Sequence, residues 1–299
     1  MKQDLLTIED LDRKEIEEIL HKAKEFCERR ERNDLRGGVL ASCFFEPSTR
    51  TRLSFETAML RLGGSVIGFS EAGSTSSQKG EILEDTMRVV GSFADVIVLR
   101  HFEAGAAKKA AKATKTPVVN AGDGANEHPS QTLVDLFTVW ISQGKIDGLR
   151  LAIMGDLKYG RTVHSLVKAL SLYQVKIDFV SPKELTLPED LKEMLKGKDV
   201  ACSYHEDIEA AIKDADVVYT TRVQKERLQG EVLHHRYVLK KEMLAGCRHN
   251  MKILHPLPRV DELDREIDHT PFAYYFEQAQ YGVPVRMALL ASLLKKEKI

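Results

Sequence analysis

The chain carries only four cysteines in 299 residues, Cys27, Cys43, Cys202 and Cys247. They lie far apart, with no Cys-x-x-Cys spacing. This argues against a disulfide framework or a zinc site and suits reduced thiols in the cytoplasm. Cys43 falls inside an apolar run and is expected to pack as a small hydrophobe. A surplus of charge of one sign is also lacking: 44 Lys and Arg face 45 Asp and Glu, for a net charge of −1. Non-specific nucleic-acid binding rests on a positive surplus and is not expected. No apolar run approaches the roughly 20 residues of a membrane span. The opening Met1-Lys2-Gln3-Asp4 lacks the apolar core of a signal peptide. There is no internal repeat and no low-complexity tract.

What is present is an alternation of strand-like and helix-like segments, long enough for two domains. It predicts an α/β fold in which each domain is a mostly parallel sheet flanked by helices. In the first half, residues 39–45, 96–99 and 117–120 read as buried strands. An Ala/Lys-rich helix is predicted around 104–115. Leu133, Phe137, Trp140 and Ile141 mark another helix after His128-Pro129-Ser130, ending near Gly144. A second series begins with a strand at 151–154 and a helix carrying Val163, Leu166, Val167 and Leu170. Further strands are expected at 175–180, 216–220 and 252–255. The last helix is expected after Pro284, with Met287, Leu290, Ala291 and Leu294 on one face. Lys295-Lys296-Glu297-Lys298 then suits the negative end of its dipole. The domain boundary is expected near Gln143-Gly144. Residues 1–143 with 277–299 form one domain and 144–276 the other.

The densest chemical signal is Ser48-Thr49-Arg50-Thr51-Arg52. It follows the apolar strand and precedes Phe55, Ala58, Met59 and Leu62, spaced as one face of a helix that Gly63-Gly64 can stop. A helix start presents unpaired N–H groups and a partial positive charge. Hydroxyls and guanidinium groups added there make a phosphate receptacle. Ser48 or Thr49 as a mere cap is the simpler reading. Two arginines in the first turn oppose the dipole, however, and so call for an anion.

Other polar clusters also follow predicted strands, where parallel sheets bind ligands. They are Arg100-His101, Asp123 to Gln131, Asp156 to Arg161, Arg222 to Arg227 and His255 to Arg259. If strand directions are shared, they line a crevice between the two domains, the expected active site. Gly155 to Gly160 is not a dinucleotide fingerprint, and Asp156 would repel a pyrophosphate. Ser74 to Glu81 reads as a polar, flexible loop. Pro256 and Pro258 flank Leu257 so closely that a cis X-Pro bond there is plausible. The crevice gathers Arg50, Arg52, Arg100, Arg161, Arg222, Lys79 and His128, with no matching cluster of acids. That composition suits highly anionic substrates, with no metal, no cofactor and no covalent nucleophile.

These motifs resemble, in the same order, those of aspartate carbamoyltransferase catalytic chains. The resemblance runs from about residue 5 to 295. It rests on Ser48 to Arg52, His128-Pro129-Ser130-Gln131, Gly155 to Thr162, Arg222 to Arg227 and His255 to Arg259. It implies transfer of a carbamoyl group from carbamoyl phosphate to L-aspartate in de novo pyrimidine biosynthesis. By the same resemblance Ser48, Thr49, Arg50, Thr51 and Arg100 hold the phosphate. Thr51, Arg100 and His128 surround the carbamoyl oxygen, while Gln131 and the Leu257 carbonyl, next to Pro258, accept from the carbamoyl NH2. Arg50, Thr51, Arg100 and His128 are the catalytic set. Arg161, Arg222 and Gln224 hold the carboxylates of aspartate, joined by Lys79. Ser76 and Lys79 enter from a neighbouring subunit, which implies a homotrimer with shared active sites, compatible with a separate regulatory chain. The loop before Lys79 is about one residue shorter than usual, with Gln78 where a second lysine can occur. Arg52 is expected to be structural.

Ornithine carbamoyltransferase shares the phosphate motif, but Pro256 stands where it usually has Cys, and its Ser-Met-Gly is missing. The ammonium of ornithine would be poorly served by Arg161 and Arg222. A non-catalytic anion-binding homologue predicts gaps in the motif set, and none of the expected positions is missing.

Overall fold

A computed structural model describes residues 3–28, 32–71, 73, 75–224 and 237–294. The expected basic tail of the last helix, and Lys225 to Arg227, lie outside the described residues.

The chain divides into two compact units, Met1–Phe137 with Tyr281–Ile299, and Thr138–Gln280. The first contains α1 (Arg13–Glu28), β1 (Val39–Phe44), α2 (Thr49–Arg61), β2 (Ser65–Phe69), α3 (Leu83–Gly91), β3 (Val96–His101), α4 (Ala106–Ala113) and β4 (Val118–Asp123). Its sheet runs β2-β1-β3-β4 and is parallel throughout. β1, β3 and β4 are almost wholly buried, as strands covered on both faces by helices must be. That burial explains the apolar stretches Val39-Leu40-Ala41, Val96-Ile97-Val98-Leu99 and Val118-Val119. β2 is an edge strand, mostly exposed, although Val66, Ile67 and Phe69 are apolar. Register sets Phe44 beside Arg100, so the chain leaves β1 and β3 at the same end of the sheet.

α2 buries Phe55, Ala58 and Met59 completely. It ends where Gly63, at φ +81°, turns the chain into the left-handed region. The Gly63 and Gly64 N–H groups then donate to the carbonyls of Leu60 and Met59.

The division falls inside α5 (Pro129–Gln143) and inside α9 (Tyr275–Leu293). The second unit holds β5 (Arg150–Met154), α6 (Arg161–Leu170), β6 (Lys176–Val180), α7 (Glu189–Gly197), β7 (Ala201–His205), α8 (Ile208–Ile212), β8 (Val217–Thr220) and β9 (Lys252–Leu254). Its parallel sheet runs β7-β6-β5-β8-β9. Ala152, Met154, Val218 and Ile253 pack with Ile212, Met251 and Tyr275 in its core.

The last helix departs from expectation. It begins at Tyr275, not after Pro284, and Pro284 lies inside it. A proline interior to a helix removes one hydrogen bond and crowds the preceding turn, at about 3 kcal/mol. Burial on both sides of it outweighs that cost: Tyr275, Val285, Met287, Leu289 and Leu290 are all fully buried. Cys43 is inaccessible within the apolar core, and burial pushes its thiol up to about 12. No helix among the described residues is long and apolar enough to cross a membrane.

Asp178 of β6 is the polar tie of the second sheet. It accepts from Arg150 Nε at 2.5 Å and Nη2 at 3.2 Å, and His205 Nε2 lies 2.8 Å away. Burial pushes its carboxyl up, but the bonds from Arg150 and His205 outweigh this and hold it below 3.8. A depressed folded-state pKa contributes stability that is present above the unfolded value and lost as pH falls through the folded one. Asp178→Asn is therefore expected to cost about 1–3 kcal/mol in denaturant melts near neutral pH. The difference from the parent should shrink as the pH is taken below 3.8.

Candidate active site

In the first unit, adjacent parallel strands deliver three motifs to one sheet edge. β1 leads through Ser48 into α2, β3 ends with Arg100-His101, and β4 leads through His128 into α5. Ser48 occupies the position before α2 in extended conformation, yet its side chain makes no capping bond. The first turn contains no acid. The capping reading of this serine thus fails, while the exposed N–H groups and hydroxyls expected of an anion receptacle remain.

The two arginines of the motif separate. Arg52 Nη1 lies 3.6 Å from Glu56 Oε1 one turn on, and Glu56 also accepts from Ser42 Oγ. Arg52 is committed within its own helix. Arg50 has no acidic partner recorded among the described residues. It keeps much of its surface exposed, and partial burial lowers its pKa. Arg100 is anchored by Nη1 donating to the Ala121 carbonyl at 3.3 Å, and its Nε lies 3.3 Å from Glu46 Oε2. Sequence reading found no acids to match the arginines. Glu46, two residues before Ser48, and Glu56 are such acids; Glu56 stands at the i,i+4 spacing from Arg52, while the position of Glu46 gave no sign of its pairing with Arg100.

His128 is buried, and Nε2 stands 3.5 Å from the hydroxyl of Thr51, itself buried. Ser130 Oγ lies 3.4 Å from Nδ1. The hydroxyl motif of α2 and the histidine before α5, 77 residues apart in sequence, thus converge on one point. Gln131, half-buried, lies in the first turn of α5 and donates to Asp135 at 2.8 Å. Thr49 is exposed at the mouth of this cluster.

Ser76 and Lys79 form an exposed 3-10 turn, Ser76–Lys79, where a loop was expected. They stand outside the cluster of Thr51 and His128 in sequence and are not bonded to it.

In the second unit the same principle gathers the loops after β5, β8 and β9, three neighbouring strands. Gly155, at φ +111°, passes so close to Thr221 that a Cβ would lie 2.2 Å from its carbonyl oxygen. Asp156 is inaccessible. It accepts from the N–H groups of Tyr159 at 2.8 Å and Gln224 at 3.1 Å. Burial raises its pKa, with those two bonds opposing the shift. Its role is to tie the β5 and β8 loops together, so its proximity to Gly155 says nothing of pyrophosphate. Gln224 Nε2 donates to the Tyr159 carbonyl at 2.6 Å. Arg161 begins α6 and is nearly buried, and Arg222 is half-buried two residues before Gln224. One acid thereby fixes the backbone that carries Arg161, Arg222 and Gln224.

After β9, the Leu257-Pro258 bond is cis, and Leu257 adopts φ +55°. The non-glycine left-handed conformation is held by a buried relay. Leu257 N–H donates to His255 Nδ1 at 2.8 Å, and His255 Nε2 meets Glu262 Oε1 at 2.7 Å. With Nδ1 accepting, the ring proton sits on Nε2 and points at the carboxylate. Burial pushes Glu262 up, but the bond from His255 outweighs it and the pKa is lowered. Nothing in the sequence marked Glu262. Its signal is burial, which local pattern does not reveal. Among the described residues no cluster of His, Cys, Asp and Glu is arranged to hold a metal.

Two parallel α/β units, each with arginines and a helix start at its strand ends, define a class of proteins that bind small anionic substrates. Residues 3–140 match the family model of the aspartate/ornithine carbamoyltransferase carbamoyl-P binding domain, and 147–293 that of the Asp/Orn binding domain. The aspartate carbamoyltransferase catalytic subunit of Chromobacterium violaceum is 48% identical, over 98% of each chain. That of Thermococcus onnurineus is 49% identical, over 98% of this chain and 97% of its own. The catalytic subunit of M. jannaschii aspartate transcarbamoylase superposes with TM-score 0.91 at 48% identity, covering 99% of both chains. An aspartate transcarbamoylase of Trypanosoma cruzi, in complex with carbamoyl phosphate and aspartate, superposes with TM-score 0.92 at 37% identity, covering 97% of this chain and 96% of its own. The chain belongs to the aspartate/ornithine carbamoyltransferase family.

The separation of the two arginines is directly testable with inorganic phosphate as the probe. Arg50→Ala is expected to weaken phosphate binding about 10- to 100-fold by calorimetry, the scale of a lost hydrogen bond to a charged group. Arg52→Ala, whose charge is already matched by Glu56, should change it by less than about threefold. Equal losses would mean that both arginines face the anion.

Proposed function

We propose that the protein transfers the carbamoyl group of carbamoyl phosphate to the amine of L-aspartate, giving N-carbamoyl-L-aspartate and phosphate, in de novo pyrimidine biosynthesis. Family membership over nearly the whole chain supports this activity. The geometric observation that carries it is the approach of Thr51 Oγ1 and His128 Nε2 to 3.5 Å beside the uncapped start of α2. A phosphate at that helix start would put its carbamoyl oxygen within reach of both groups.

In this reading Ser48, Thr49, Arg50, Thr51 and Arg100 hold the phosphate. Thr51, Arg100 and His128 donate to the carbamoyl oxygen, and Gln131 and the Leu257 carbonyl accept from the NH2. Arg161, Arg222 and Gln224 take the two carboxylates of aspartate, for which rigid bidentate guanidinium groups are better suited than lysine. The amine nitrogen attacks the carbamoyl carbon, the new C–N bond forms, and the C–O bond to phosphate breaks. Negative charge grows on the carbamoyl oxygen, where preorganised donors stabilise the transition state most. The departing phosphate, a stronger base than the phosphoryl group of the anhydride it leaves, takes the amine proton. Arg161 and Arg222 favour a dicarboxylate acceptor over ornithine, whose side chain would bring an ammonium to guanidinium groups.

We further infer a cytoplasmic homotrimer in which Ser76 and Lys79 reach the active site of a neighbouring subunit, with Lys79 contacting aspartate as well. The exposure of the Ser76–Lys79 turn supports this, since it leaves both side chains available to a second chain.

Phosphate release with carbamoyl phosphate should depend on L-aspartate and not on L-ornithine, and release without aspartate dependence would defeat the reading. His128→Ala is expected to lose about 100- to 1,000-fold in kcat, the scale of one removed donor to the oxyanion. Proton transfer to phosphate predicts that weak activity survives in that variant; its complete loss at every pH would count against the phosphate as acceptor. Mixing inactive Arg50→Ala and Lys79→Ala chains should regain activity through hybrid sites that carry neither substitution. Hybrids as inactive as their parents would show that Lys79 serves its own subunit.

A further inference from the structure

Gln131 donates its carboxamide nitrogen to Asp135 Oδ1 at 2.8 Å, one helical turn further along α5. An i,i+4 pair of this kind stabilises an exposed helix by only about 0.2–0.5 kcal/mol. Asp135, however, is not exposed: its accessible surface is zero. Burying a carboxylate costs several kcal/mol unless it is paired and bonded. The cation on which its charge acts is Arg286 of α9. Arg286 is also buried, with its guanidinium 4.9 Å above the ring of Phe55 and Nη1 donating to the Gly282 carbonyl at 3.2 Å. Burial lowers its pKa to about 10 and the charge of Asp135 opposes that shift, so it stays protonated at neutral pH. Arg286 Nε finds no hydrogen-bond partner among the described residues. A pair of apolar residues would fill this space at lower cost, so stability alone does not account for the two charges.

The chemistry of the amide does. A Gln carboxamide is nearly symmetric in shape, and its two ends exchange by a half-turn. An ionised carboxylate only accepts, so it fixes the NH2 end of Gln131 toward itself. The oxygen is left as the end available to a ligand, and it can only accept. A carbamoyl group ends in NH2, which donates; an acetyl group of the same size ends in CH3, which does not.

We propose that the buried Asp135 is a positioning residue that holds the Gln131 carboxamide oxygen toward the carbamoyl NH2, and that the site thereby distinguishes carbamoyl phosphate from an acyl phosphate. This rests on the reading that Gln131 meets the carbamoyl NH2. Asp135 touches no substrate and acts only through Gln131.

The test compares carbamoyl phosphate as substrate with acetyl phosphate as competitive inhibitor. Asp135→Asn removes the acceptor-only character at constant size and lets the Gln131 amide turn. It is expected to raise the KM for carbamoyl phosphate about tenfold or more, the scale of one lost hydrogen bond. The inhibition constant of acetyl phosphate and the KM for aspartate should each move less than about threefold. In a Gln131→Ala background, Asp135→Asn should add less than about twofold, because residues acting through one group are not additive. If the single variant does not fold, Asp135→Asn with Arg286→Met removes both charges together and should show the same selective loss. Equal weakening of both phosphates, a full additional loss beside Gln131→Ala, or a chain that folds in neither form would make the pair structural and overturn the proposal. Absence of carbamoyl phosphate turnover in the unaltered protein would instead defeat the activity itself, a separate and recognisable outcome.

Discussion

A helix that opens Thr-Arg-Thr-Arg with no acid in its first turn concentrates positive charge where its dipole is already positive. The rest of the first unit is organised around that imbalance. β1 brings the helix start to the sheet edge, and β3 brings Arg100 beside it through the pairing of Phe44 with Arg100. Glu46 and Glu56 neutralise part of the surplus by meeting Arg100 and Arg52. Arg50 keeps much of its surface exposed, and in the proposed reading it meets the phosphate.

Buried acids recur in both units as devices that hold loops and side chains in shape. Asp156 fastens the loops after β5 and β8 through two backbone N–H groups. Glu262 orders the turn at Leu257 through His255. Asp135 fixes the end-over-end choice of the Gln131 amide. Each acts behind a residue expected to touch substrate, and each is inaccessible or nearly so. A carboxylate in such a place is kept ordered by its donors, and rigid donors and acceptors are what a transition state of shifting charge requires.

Legibility in the sequence followed burial pattern. β1, β3 and β5 are largely apolar runs, β4 opens on Val118-Val119, and the face of α2 repeats every three or four residues, so all could be read directly. β7 escaped as an edge strand of mostly exposed residues with no apolar run, and β2 as a short exposed edge strand whose apolar residues are broken by Gly68. The start of α9 was misplaced because the local rule that proline begins a helix yields to packing. Nine residues before Pro284, Tyr275 is already buried in the second unit.

The same division holds for function. Ser48 to Arg52, His128 to Gln131, Arg161, Arg222 and the Pro-Leu-Pro turn were all legible as residues, because their chemistry is unusual for a surface and they follow strands. By itself the sequence determined that the substrates are anions and that the family is that of the carbamoyltransferases, since motif order survives without knowledge of distances. Only the tertiary structure decided that Arg100 meets Glu46, that the Ser48 side chain makes no capping bond, and that Thr51 meets His128. It alone revealed Asp135 and Glu262, and it showed Asp156, read from the sequence only as a charge beside Gly155, to be a tie between two loops. Partnership depends on distance and burial, and parallel sheets bring together residues that chain order keeps tens of positions apart.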